Sequence, residues 1–189
     1  NCSVDQPYSS LRTYYARIYE GKFITGAIAG AMANDDRIGY VTAYPILGVP
    51  ASINAFALGA QMTNPRAQIE LRWSCVEGTP QADFFADGIR VVSNRQAPSQ
   101  NRMYLEFCSY GTYLMAEHSN LIPLGMPVWV WGKFYETVVN FYLSGKKVQK
   151  DPYNAINYWL GMDSGVIDLE LSDKLPEGVR HLAKMISRS

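Results

Sequence analysis

The stretch IGYVTAYPILGVPASINAFALGAQMTNPRAQIELRW, residues 38–73, decides the fold. Its opening run from Ile38 to Tyr44 is uncharged and largely apolar and stops at Pro45, the pattern of a strand buried on both faces. From Pro50 the apolar positions Ile53, Phe56, Ala57 and Ala60 fall at i, i+3, i+4 and i+7, which predicts a helix ending at Asn64-Pro65. Ile69, Leu71 and Trp73 then alternate as a second strand. Strand, helix, strand in this order predicts parallel strands joined by a right-handed crossover. The segment from Ile38 to Pro65 carries no charge, but Pro45, Pro50, Asn54 and Asn64 interrupt it, so it is not read as a membrane span.

Working outward, Ser9-Ser10 followed by Leu11, Tyr15, Ile18 and Tyr19 has the spacing of a capped helix. This helix is expected to continue through Phe23–Ala31, where Gly26 and Gly30, four apart, leave a groove for a neighbouring backbone. Downstream, Thr79-Pro80 predicts a helix start and Asp87-Gly88 its end, with strands at Ile89–Val92, Tyr104–Phe107 and Val128–Trp131. Phe134, Val138, Phe141 and Tyr142 form a helix closed by Gly145. Ile156–Leu160 and Val166–Leu169 flank a turn at Ser164-Gly165, and Pro176 opens the last helix. Alternating strands and helices define an α/β protein with a largely parallel sheet flanked by helices.

The 189 residues carry 17 Lys+Arg and 17 Asp+Glu, and this balance argues against nucleic acid as a partner. Cys2, Cys75 and Cys108 form no CxxC pair and no ligand spacing with His118 or His181, so no metal site is expected. The first residues have neither a signal peptide's basic start nor its apolar run. Because the chain opens on Asn1 rather than Met, it is expected to be a piece of a longer precursor. It holds no GxSxG, Walker loop, GxGxxG after a strand or HExxH, so neither an enzyme nor a cofactor is expected.

Aromatic and polar residues instead gather where strands end: Tyr44, Trp73-Ser74, Asn94, Tyr110, and Trp129 with Trp131. Open α/β sheets bind ligands outside the carboxyl ends of their strands, and flat side chains there can stack on a flat ligand. Packing of the sheet against its helices is the competing reading for each of them, and it weighs more at Trp129 and Trp131.

RIGYVTAYP at 37–45, INAFALGA at 53–60 and Asn64-Pro65 strongly resemble the basic membrane protein family of ABC-transporter substrate-binding lipoproteins. So do YYARIY at 14–19, TGAIAG at 25–30 and YWLGMDSGVID at 158–168. The resemblance implies a type I periplasmic-binding-protein fold of two lobes that close on a small solute, passed to an ABC permease. On that alignment residues 1–37 end the first lobe and include a hinge, and 38–131 form a complete second, ligand-binding lobe. Residues 132–189 are return segments, hinge and C-terminal helix, and most of the first lobe is missing. Family members sit outside the cytoplasmic membrane on a lipidated cysteine. Cys2 lies inside the alignment, so any lipid anchor falls outside this chain.

Purine nucleoside is the default ligand by resemblance. Yet Glu77 stands where nucleoside-binding members carry an aromatic residue, FCSYGT at 107–112 has no ribose-holding carboxylate, and Lys133 is the candidate for an expected lysine. The competing reading is a ligand-sensing or regulatory module on the same fold. A lobe without its companion exposes apolar surface, so a homodimer of this chain is also an expectation.

Overall fold

A computed structural model of the chain describes residues 12–42, 44–46, 48–73, 83–94, 111–117, 120–145 and 156–188. These form strands β1 (Arg12–Ala16), β2 (Arg37–Thr42), β3 (Gln68–Trp73), β4 (Val91–Ser93), β5 (Thr112–Glu117), β6 (Asn120–Trp129), β7 (Ile156–Leu160) and β8 (Ile167–Leu171). The helices are α1 (Tyr19–Met32), α2 (Val49–Thr63), α3 (Asp83–Ala86), α4 (Trp131–Leu143) and α5 (Glu177–Ile186). Backbone contacts divide them into a unit of residues 19–127 and 169–189 and a smaller unit of residues 1–18 and 128–168.

In the larger unit the predicted β-α-β is present. β2 pairs in parallel with β3 on one side and β4 on the other. Alternation along β2 sends Ile38 and Tyr40 to one face, against Phe56 and Ala60 of α2, and Val41 to the other, against Phe84 of α3. Burial of both faces is why β2 reads as a continuous apolar run. α1 and α2 lie backbone to backbone: a Cβ on Gly26 would meet the Phe56 carbonyl oxygen at 2.1 Å, and one on Gly59 the Phe23 oxygen at 1.9 Å. The groove expected at Gly26 and Gly30 therefore holds the backbone of α2.

Beyond β4 the sheet turns antiparallel through β5 and β6, in the order β3-β2-β4-β5-β6-β8. The sequence reading did not anticipate this hairpin. Pro123 and Pro127 interrupt the strand pattern of β6, and the pairing with β5 is irregular in two places, one of them next to Pro123.

The smaller unit is built on β1 and β7, parallel and in register from Arg12 with Ile156 to Ala16 with Leu160. Arg12–Ala16 thus corrects the predicted helix at Leu11–Tyr19, which begins only at Tyr19. Thr13, Tyr14 and Tyr15 suit a strand, and their partner lies far along the chain, where local spacing carries no trace of it. A second correction concerns Trp131, expected in a strand with Val128–Val130: β6 ends at Trp129, and Trp131 is the first residue of α4. The predicted helix start at Thr79-Pro80 and strand at Tyr104–Phe107 lie outside the described residues.

Candidate functional site

Three parallel strands of the larger unit end side by side. Register sets Thr42 of β2 beside Trp73 of β3, and Tyr40 of β2 beside Ser93 of β4. Trp73 closes β3, Tyr44 follows β2 by two residues, and Asn94 follows β4 directly. The topology therefore brings together three of the residues chosen from sequence along one edge. Trp73 is partly buried, and Tyr44 is 52% exposed. An exposed phenol and a partly buried indole can each meet a flat or ring-shaped solute by an apolar face, the phenol with a hydroxyl as well.

Asn94 is more constrained. Its backbone is left-handed, with φ 66°, a conformation asparagine tolerates better than other side-chain-bearing residues. Its Nδ2 donates to the Val41 carbonyl at 2.7 Å, and its backbone N–H donates to the Gly111 carbonyl at 2.8 Å. Its Oδ1 accepts from the ammonium of Lys22 at 2.9 Å.

Lys22 is the residue that sequence reasoning missed. It stands in the first turn of α1 with 0% exposure, and its Nζ also donates to Ser93 Oγ at 2.7 Å. The rings of Tyr40 and Phe56 lie 4.9 and 5.3 Å from the ammonium. Such ring faces attract a cation, whereas burial disfavours its charge and pushes the Lys22 pKa well below the ordinary lysine value. A signal was present in the sequence: Lys22 heads a helix that carries no further charge through Met32.

The two tryptophans downstream belong to the smaller unit. Trp129 packs against a core of Ala16, Ile18, Phe134, Val166 and Ile167, and Trp131 against the same cluster. The Tyr14 ring lies 5.1 Å from Trp131 and 5.0 Å from Phe134, and its hydroxyl is 3.2 Å from that of Tyr135. Both indoles are partly buried in aromatic packing. At the carboxyl ends of β1 and β7, Arg17 donates to the Trp159 carbonyl at 3.2 Å and pairs with Asp163 at 3.3 Å. Ser74, Glu77 and Tyr110 lie outside the described residues.

Parallel strands flanked by helices define the class, an α/β protein. Residues 3–75 match the Bmp model, described as ABC transporter substrate-binding protein PnrA-like. A putative ABC transporter glucose-binding protein of Haloferax volcanii is 30% identical, over 81% of this chain and 40% of that one. A purine-binding protein of Brucella abortus is 26% identical, over 93% of this chain and 51% of that one. The chain spans about half the length of these curated relatives or less.

Two solved structures share the fold. An ABC transporter solute-binding protein from Conexibacter woesei superposes with a TM-score of 0.55 at 12% identity, over 93% of this chain and 61% of that one. A transcriptional activator of the comK gene from Bacillus halodurans gives 0.56 at 15% identity, over 93% of this chain and 62% of that one.

Proposed function

We propose that this chain supplies the solute-gripping part of an ABC importer's binding protein, holding one small ring-bearing solute against the ends of β3, β2 and β4. The observation that carries this reading is that three neighbouring parallel strands end side by side, with Trp73 closing one and Tyr44 and Asn94 following the other two. An indole and a phenol offer stacking surface to a purine and equally to a sugar ring, and amide or hydroxyl groups fix the orientation. A purine nucleoside joins both ring types and is the first candidate. In the proposed cycle the grip is completed by a second lobe, the closed form is delivered to a permease, and the protein works outside the cytoplasmic membrane. Among the described residues no helix is long and apolar enough to cross a membrane.

The test is a thermal-shift and calorimetric screen of guanosine, adenosine and D-glucose against this chain and against a longer natural chain that contains it. A nucleoside at about 100 times its Kd should add roughly 2.7 kcal/mol, a shift of several degrees. Trp73→Ala should weaken that binding at least about tenfold, since a buried aromatic contact is worth about 1.4 kcal/mol or more. If neither chain shifts with any of the three solutes, the reading fails. If glucose alone shifts it, the sugar replaces the nucleoside.

A further inference from the structure

We propose that Lys22 is a positioning residue for the strand-end platform: its ammonium pins Asn94 at the end of β4 and, through the Asn94 amide, the end of β2. Lys22 itself touches no solute in this proposal, which rests on the solute-binding reading for its significance but not for its test.

Three observations carry it. First, the amide of Asn94 has its oxygen toward Lys22 Nζ and its nitrogen toward the Val41 carbonyl. Turned over, the amide would set NH₂ against the N–H donors of Lys22 Nζ and oxygen against the Val41 carbonyl oxygen, so the two contacts together fix one orientation. Second, this oriented amide joins neighbouring strands where both leave the sheet, while the Asn94 N–H ties the same point to Gly111 ahead of β5. One cation on α1 thereby governs where the chain departs from β2 and β4. Third, the ammonium has 0% exposure between Tyr40 and Phe56. Burying an ionic group in such a place is unfavourable, and apolar replacements of buried ionic groups are often neutral or stabilising. A lysine kept only as filler would be better served by methionine, whereas a lysine kept to orient an amide would not.

The experiment is amide hydrogen exchange and thermal melting of the full chain, comparing the parent with Lys22→Met, Asn94→Gly and the double variant. Glycine at 94 keeps the left-handed backbone and removes only the amide. In Lys22→Met the melting temperature is expected to stay within a few degrees of the parent. Exchange at residues 40–42 and 91–94 should rise about tenfold, and that at 23–31 should not change. Asn94→Gly should reproduce this local pattern, and the double variant should add nothing, because both changes break one linkage.

Unchanged exchange at the strand ends in Lys22→Met, or a loss of protection spread evenly through α1 and the sheet, would overturn the proposal in favour of a general packing role. Should Lys22→Met not fold, Asn94→Gly decides alone: a local rise at 40–42 supports the linkage and no rise overturns it. A parallel titration with guanosine and with D-glucose separates the two readings. Absence of binding in the parent counts against the function proposed above, while the exchange pattern still judges the role of Lys22.

Discussion

Glu70 sits between two guanidinium groups, accepting from Arg37 at 2.7 Å and from Arg72 at 2.5 Å, while Arg72 also pairs with Asp87 and lies over the Phe84 ring. Burial pushes the Glu70 pKa up, but the hydrogen bonds and charges of both arginines outweigh it and leave the carboxyl below its usual range. A carboxyl with a depressed folded pKa adds stability that is present above its unfolded value, near 4.3, and is lost as pH falls through the folded one. Glu70→Gln should therefore lower the urea midpoint at pH 7 by an amount worth less than about 1 kcal/mol, since the group is part-exposed. The difference from the parent should shrink as the pH falls below about 4; a difference that does not change with pH would show that charge is not the cause. Among single residues, sequence exposed the aromatic strand ends and hid Lys22. A buried cation is legible only through its partners, and Ser93, Asn94, Tyr40 and Phe56 come from three other elements.

At the scale of elements, the tightest joint is α1 against α2. Gly59→Ala would drive a methyl group into the Phe23 carbonyl, and Gly26→Ala would do the same at Phe56. Neither obstacle is a flexible side chain, so the helices must separate, and each variant should lose at least about 1–3 kcal/mol in urea unfolding. Gly178→Ala, where the added methyl meets nothing within 4 Å, is the control expected to be neutral or slightly stabilising in its helix. This joint could be read from the Gly26 and Gly30 spacing because helical periodicity is local. β1 and the β5–β6 hairpin could not, for opposite reasons. β1 has a short pattern compatible with either state and a remote partner, while β6 contains two prolines that count against a strand until β5 supplies an irregular ladder.

For the whole molecule, division into two units predicts unequal protection. The larger unit holds most of a six-stranded sheet with apolar clusters on both faces. The sheet of β1 and β7 has two strands among the described residues, an arrangement of marginal stability by itself, and Trp159 on it is 51% exposed. Amides of β1 and β7 should exchange at least about tenfold faster than those of β2. Equal protection in hydrogen-exchange mass spectrometry would show that the two units open together. The α/β class and the core β-α-β were legible because β2, α2 and β3 are contiguous.

Thr13 and Asn157, which hydrogen-bond across that small sheet, stand 144 residues apart. During synthesis β1 leaves the ribosome well before β7, the strand it pairs with among the described residues. During that interval β2, α2 and β3, whose contacts are local, are free to assemble. For those seconds of synthesis β1 is an open edge that can pair with any extended neighbour, a stretch for a holding chaperone to cover.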